Sequence, residues 1–344
     1  MTHAMDFVNK LRVGVSIGDT LDSFRDSIGY EAEPAESETC WGNPVITEDL
    51  VKTYLKNGFN VIRIPVTWRK HIGPAPEYAI HEKWMARVKE VVDYVYQNGG
   101  YIILNIHHED WNDPYYENRT SACDKMKRVW KQIAESFQDY DEHLIFEGQN
   151  EPRKIGTPME WNGGDKEGWD VVNATNEVFV KTVRETGGRN RERFLMIPGY
   201  AANCTEGIRH IQIPKEDDRI LVSVHAYEPY DFALKIPGRS TWNHDTEKID
   251  TLMQDLKTLF LDHNIPVVLG EFGAMNKEDN EAEREEWVTY YVKAASAIGV
   301  PCIWWDNGRF QGKGELFGLF SRYNYQCAYP KVLNGLMKGS ENRG

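Results

Sequence analysis

The chain has 344 residues, within the span of one α/β barrel and enough to bury a core without disulfide or metal staples. Its 40 Lys plus Arg against 53 Asp plus Glu give a net charge of −13, a surface that repels phosphate backbones and anionic lipid. Neither nucleic acid nor a membrane is therefore expected as a partner, whereas a neutral substrate is not penalised.

Short apolar or β-branched runs alternate with longer amphipathic, charged stretches along the whole chain. Candidate strands begin near Val13, Val61, Ile102, Leu144, Phe194, Ile220, Val267 and Cys302. Between them lie helical patterns. Residues 47–57 read as a Thr47 cap followed by an apolar stripe, and residues 83–98 carry Met85, Val88, Val91, Val92 and Val95 at helical spacing. Residues 167–186, 246–263 and 281–298 behave alike. Eight strand-then-helix units predict a (β/α)₈ TIM barrel forming a single domain over 1–344, with an open doubly wound sheet as the alternative. The five cysteines (Cys40, Cys123, Cys204, Cys302 and Cys327) are odd in number and form no C-x-x-C, so neither a disulfide framework nor a zinc site is expected.

Most of the strands end in residues that a core would not choose. Val61-Ile62 leads into Arg63, and Ile102-Ile103-Leu104 into Asn105, His107 and His108. Leu144-Ile145-Phe146 leads into Glu147, Asn150 and Glu151. Later runs end in His225 and Tyr227, in Glu271, and in Trp304-Trp305-Asp306. A barrel gathers the C-terminal ends of its strands on one face, where active sites sit, so one fold places all these groups in a single cleft. Glu151 and Glu271 each follow a strand directly. Two carboxyls flanking one bond are what glycoside hydrolysis requires, one to protonate the leaving oxygen and one to attack or to activate water. Arg63 is the candidate to keep Glu271 ionised, Tyr227 a donor to the same carboxylate, and Asn150 a partner for a sugar 2-hydroxyl. Trp305 is the candidate sugar platform, and Trp111 a second one.

These residues carry a family resemblance. The chain resembles glycoside hydrolase family 5, and most its subfamily 4 of broad-specificity β-glucanases, over nearly its whole length. Asn150-Glu151-Pro152 matches the family hallmark, which implies that Glu151 is the acid/base. Gly270-Glu271-Phe272-Gly273 matches the nucleophile segment, implying that role for Glu271. Arg63, His107 (with His108 beside it), His225 with Tyr227, and Trp305 match support and sugar-contact positions. The resemblance implies a retaining endo-β-1,4-glucanase acting as a monomer on β-glucan chains, with no cofactor and no metal. Xyloglucanase, licheninase and β-mannanase activities are the alternatives within the family. It also implies a secreted enzyme whose signal peptide is not in this sequence, since residues 1–10 hold no apolar segment; a cytoplasmic location stays open. Two positions depart from the pattern. Asp19 stands where relatives carry asparagine, so Asp19→Asn is expected to keep or raise activity. Gln149 replaces a methionine, and the sequence assigns it no role.

Three other chemistries compete. Gly14-Val15-Ser16-Ile17-Gly18 matches the G-x-S-x-G elbow of serine hydrolases, which requires a sharp strand-to-helix turn at Ser16. His107, His108, Glu109 and Asp110 cluster in sequence, but no H-E-x-x-H spacing supports a metal hydrolase. A non-catalytic glycan binder would need a missing carboxylate, and both are present.

Overall fold

The computed structural model describes residues 2–341. Each predicted apolar run forms a strand: β1 (Val13–Ile17), β2 (Val61–Ile64), β3 (Tyr101–Asn105), β4 (Leu144–Glu147), β5 (Leu195–Asn203), β6 (Ile220–His225), β7 (Val267–Phe272) and β8 (Cys302–Asp306). Every strand pairs in parallel with its neighbour in sequence. β8 closes onto β1 with Val13 opposite Cys302 and Ile17 opposite Asp306, so the sheet has no free edge. The (β/α)₈ barrel expected from the sequence is the fold.

The amphipathic stretches form Glu48–Lys56, Glu82–Gln97, Arg119–Ser136, Lys166–Glu185, Glu247–Leu259, Glu281–Ala297 and Pro330–Ser340. Thr47 caps the first by accepting from Leu50 N at 3.2 Å, and Asp165 caps the fourth through Gly168 N at 2.8 Å. The β5–β6 connection departs from strict alternation. Its described residues hold only the 3₁₀ turn Gly207–His210 in place of an α-helix. Pro214, in this short stretch, removes a backbone donor and restricts the residue before it, so no long helix can form there.

Strand side chains alternate between two environments. Val15, Ile62, Leu104, Phe146, Val222 and Leu269 point outward and pack beneath the helices. Val61, Ile103, Ile145, Leu221, Val268 and Ile303 point inward and form a separate apolar layer at the barrel floor. Helix His3–Val8 plugs that floor from below, with Phe7 stacked on Phe194 at 3.8 Å between ring centroids. Two residues further along the strands, the next inward positions are Arg63, Asn105, Glu147 and Ser223, all 0 % exposed. The same period of two that builds an apolar floor therefore stacks a polar layer on top of it.

At the rim, Asp19 adopts a left-handed conformation (φ +54°), which Asn and Asp tolerate best among non-glycine residues. Its carboxylate accepts from Arg309 Nε at 2.5 Å, and Arg309 Nη2 donates to the Trp41 carbonyl at 3.0 Å. Asn43 Nδ2 donates to the carbonyls of both Asp19 and Asn307, each at 2.9 Å. These bonds fasten the loop after β1 to the loop after β8. The expectation for Asp19→Asn rested on the asparagine that relatives carry there, whereas in this chain the Asp19 carboxylate has a partner in Arg309. Asp19→Asn should bring no gain in activity. Arg309→Gln alone leaves a carboxylate only 8 % exposed without its cation. It should therefore destabilise the fold more than the double change Asp19→Asn with Arg309→Gln. Denaturation of the four proteins should give a coupling of about 0.5–1 kcal/mol, and strict additivity would show that the pair adds nothing.

Candidate active site

The upper polar layer is organised around Arg63, delivered to the barrel centre by β2. Its Nε donates to Glu147 Oε2, its Nη1 to Glu271 Oε1 and its Nη2 to Asn150 Oδ1, each at 2.7 Å. Burial works against the guanidinium charge, but Glu147 and Glu271 more than offset it and hold Arg63 above its ordinary pKa. Glu147 is bound further by Asn105 Nδ2 at 3.1 Å and by the Ser223 hydroxyl at 2.6 Å. Both lone-pair sets of this buried carboxylate are thus satisfied.

Glu271 lies on β7, beyond Gly270. A Cβ at Gly270 would sit 2.9 Å from Ser223 Oγ and 3.3 Å from His225 Nε2, so glycine lets β6 and β7 approach closely beside the site. Besides Arg63, Glu271 accepts from the Tyr227 hydroxyl at 3.0 Å. Glu151, just past β4, shares a 2.7 Å hydrogen bond between its Oε1 and His225 Nδ1, and its Oε2 faces Arg153 Nη1 at 3.7 Å. One oxygen of Glu151, one nitrogen of His225 and one oxygen of Glu271 all lie within 4.8 Å of one another.

Charge is distributed unevenly in this cluster. Burial pushes Glu271 above the ordinary carboxyl range and outweighs the pull of His225 and Arg63. Burial also pushes on Glu151, but the His225 hydrogen bond and the charges of His225 and Arg153 overcome it and hold that carboxyl below its usual value. His225 is raised, because Glu271 and Glu151 outweigh its desolvation. Within the Glu151–His225 bond a proton on Nδ1 leaves Glu151 charged, and the same proton on Oε1 makes Glu151 an acid.

The remaining predicted residues gather around this cluster. His107 and Trp305 face each other with parallel rings, centroids 5.8 Å apart and planes 2° from parallel. Trp305 lies so close over Gly18 that a Cβ there would meet its ring at 2.6 Å. Burial drives His107 well below the ordinary histidine range and His108 to about 4, so both rings are neutral. His108 lies outside the carboxylate network; its ring packs near Phe24 and Trp41 in the wall of a recess of about 530 Å³ beside Glu151. Asn150 Oδ1 must be the atom facing Arg63, since a guanidinium only donates.

Other candidates fall elsewhere. Trp111 is not an open platform: its indole N–H donates to Glu109 at 2.6 Å and Lys125 covers its ring at 5.3 Å. Gln149 points away from the cleft and binds Thr175, Asn176 and Asn112, tying β4 to the helix Lys166–Glu185. Ser16 is 0 % exposed in mid-strand, with no elbow and no access for a substrate, which overturns the serine-hydrolase alternative. Two groups place potential metal-ligand atoms together, Asp22 with His107 and His108, and Glu151 with His225 and Glu271. In the second, Arg63, Tyr227 and His225 already engage the carboxylates. Glu147 is the residue that the sequence reading passed over as a strand end. Its signal was present: it lies two positions after Ile145, on the same inward face. Glu147→Ala should leave Arg63 buried with half its counter-charge, costing about 3–5 kcal/mol of stability in denaturant titration. A loss under 1 kcal/mol would mean that water or another group replaces it.

Comparison with known proteins agrees with this geometry. Residues 26–311 match the sequence model of cellulase (glycosyl hydrolase family 5). Endoglucanase B of Neocallimastix patriciarum is 51 % identical over 340 residues, covering 98 % of this chain and 72 % of that protein. A GH5-4 broad specificity endoglucanase from Ruminococcus champanellensis, solved with bound cellotriose, superposes with a TM-score of 0.95 at 42 % identity, over 98 % of this chain and 99 % of that one. A GH5 xyloglucan-specific endo-β-1,4-glucanase from a metagenomic library, in complex with cellotriose, gives 0.93 at 40 % identity, over 97 % and 98 % of the two chains. With its closed barrel and paired glutamates beyond β4 and on β7, the chain belongs to glycosyl hydrolase family 5.

Proposed function

We propose that the protein is a retaining endo-β-1,4-glucanase in which Glu271 is the nucleophile and Glu151 the acid/base. The observation that carries this is the Glu151–His225–Glu271 cluster, its atoms within 4.8 Å, with Arg63 and Tyr227 both donating to Glu271. Retaining enzymes set their carboxyls about 5–5.5 Å apart, leaving no room for a water between them. Glu271 attacks the anomeric carbon while Glu151 protonates the departing oxygen, giving a glycosyl ester on Glu271 and a chain with a free hydroxyl. Glu151, now ionised, takes a proton from water, and the resulting hydroxide equivalent releases the sugar with its β configuration. Arg63 and Tyr227 stabilise the carboxylate each time it is freed. With its oxygen held by Arg63, Asn150 presents Nδ2 to the sugar 2-hydroxyl, a bond that strengthens in the transition state.

The substrate is a β-glucan chain, cellulose-like, mixed-linkage or xyloglucan. The parallel rings of His107 and Trp305 favour the flat faces of such sugars, and a net charge of −13 does not oppose a neutral polymer. The cluster is complete within one chain, so a monomer suffices. No helix among the described residues is long and apolar enough to cross a membrane, and a polymeric substrate favours action outside the cell.

Glu271→Ala should abolish turnover on every substrate. Glu151→Ala should slow glucan hydrolysis by about 10²–10⁴-fold. On an aryl glycoside with an activated phenol, the same variant should complete the first step and stall at the second. Azide should then restore turnover and yield a β-glycosyl azide. Proton NMR of fresh wild-type product must show the β-anomer first; an α-anomer would mean inversion and would refute the role of Glu271. Carboxymethyl cellulose should lose viscosity well before reducing ends accumulate, and proportional loss would rule out endo cleavage. Side-by-side rates on cellulose derivatives, mixed-linkage glucan, xyloglucan and mannan rank the substrates.

A further inference from the structure

The two ring nitrogens of His225 are unequally served. Nδ1 meets Glu151 Oε1 at 2.7 Å, whereas Nε2 is buried and makes no hydrogen bond among the described residues. A buried ring nitrogen without a partner is costly, so the charge it faces decides whether it carries a proton. Glu147 Oε1 lies 3.9 Å from Nε2. That carboxylate is fixed in place. Its Oε2 accepts from Arg63 Nε at 2.7 Å and from Asn105 Nδ2 at 3.1 Å, which leaves Oε1 turned toward β6, where the Ser223 hydroxyl donates to it at 2.6 Å. Glu147 is 0 % exposed, so water does not screen its charge. A lone pair on Nε2 would be repelled by that charge, and an N–H is attracted.

The state of Nε2 matters because of what Nδ1 has to do. A neutral imidazole carries one proton. When Glu151 is in its acid form its O–H donates, and Nδ1 can accept only if the ring proton sits on Nε2. When Glu151 is ionised instead, the ring holds both protons and Nδ1 donates. Nε2 is protonated in both states, so a proton passes between Nδ1 and Oε1 with no other rearrangement.

We propose that Glu147 is a positioning residue for proton transfer: it keeps a proton on His225 Nε2, so that Nδ1 can accept from Glu151 in its acid form. This rests on the reading of Glu151 as the acid/base. Loss of the shared proton leaves the ring with a single one, which the ionised Glu151 draws to Nδ1. Nε2 then turns a bare lone pair to Glu147. The carboxylate therefore opposes that loss and extends the acid form to higher pH, and removing its charge moves the alkaline limb down. The other groups facing His225 and Glu151 are Arg63 on β2, His107 and His108 beyond β3, and Arg153 beyond β4. Tyr227 beyond β6, Glu271 on β7 and Glu315 after β8 complete the set. Arg63 opposes a charged imidazole, so leaving it less neutralised acts in the same direction as losing Glu147.

The first measurement needs no variant of Glu147. Nitrogen-15 NMR of wild-type protein labelled at histidine, with His225→Asn for assignment, reports each ring nitrogen separately. Nε2 of His225 should stay protonated across the active pH range and lose its proton at the alkaline limb of kcat/KM on cellohexaose. A ring protonated only at Nδ1 within that range would overturn the proposal. The second compares Glu147→Gln and Glu147→Asp with the wild type, thermal midpoints confirming folding. In Glu147→Gln the limb and the Nε2 midpoint should fall together by about half to one pH unit, and Glu147→Asp, which keeps the charge, should stay nearer the wild type. At alkaline pH, Glu147→Gln should then lose about three- to tenfold more kcat/KM on cellohexaose than on an aryl β-cellobioside with an activated phenol, whose departure needs no acid. Equal losses would mark damage to the support of Glu271, and these or an unmoved limb would refute the role of Glu147. Azide rescue of Glu151→Ala tests the underlying assignment separately: if rescue succeeds while these results fail, only the present proposal falls.

Discussion

A positive charge sealed inside the barrel organises the whole site. Arg63 is 0 % exposed, and an unpaired ion at that depth would cost far more than a folded domain has in reserve. It is tolerable because its three guanidinium nitrogens each meet an oxygen at 2.7 Å. Two of those oxygens belong to carboxylates on different strands, and the third to the side chain next to Glu151. Removing the charge would therefore release β4, β7 and the loop after β4 together. Glu147 matters here as much as Glu271. It gives Arg63 a second acceptor at 2.7 Å, so the guanidinium does not depend on Glu271 alone.

Much of this was legible in the sequence because strand periodicity does two jobs. The runs beginning at Val13 through Cys302 gave all eight strands, and the polar residues at their ends gave the cleft. Arg63, His225, Tyr227 and Glu271 meet as expected because the C-terminal ends of barrel strands converge. What stayed hidden depends on partners far away in the chain. Asp19 reads as an unwanted charge until Arg309, 290 residues later, is seen beside it. Gln149 has no sequence signal at all, since its partners lie on a helix whose rotation no local pattern fixes. Trp111 misled for a related reason: an aromatic residue in a loop near the cleft carries no mark that separates an open ring from one held down by Glu109 and Lys125.

The missing helix between β5 and β6 follows the same logic. The barrel needs the strand, which an apolar run specifies, but it needs only some cover outside it. The 3₁₀ turn Gly207–His210, through Ile208, and the following Ile211 and Ile213 supply that cover, so the eightfold pattern survives without an eighth regular crossover.

The uneven charge in the cleft bears on how the two carboxylates divide their work. A general acid needs a raised pKa and a nucleophile an ionised carboxylate, yet among the protein groups alone Glu151 is held low and Glu271 is pushed up. The contradiction dissolves once the proton is assigned to the group as a whole. His225 Nδ1 stands 2.7 Å from Glu151 and 3.6 Å from Glu271, so one proton can serve the three groups without a change of position for any of them. Of Glu151 and Glu271, only Glu271 accepts from Arg63 and Tyr227, and these bonds strengthen when water leaves the cleft and the local dielectric falls. On the proposed roles, a sugar entering between the carboxyls brings about that loss of water, which favours the neutral acid form of Glu151, while the donors from Arg63 and Tyr227 keep Glu271 ionised. On these proposed roles, the donors fixed to Glu271 decide which carboxylate attacks, and substrate binding decides when the other becomes an acid.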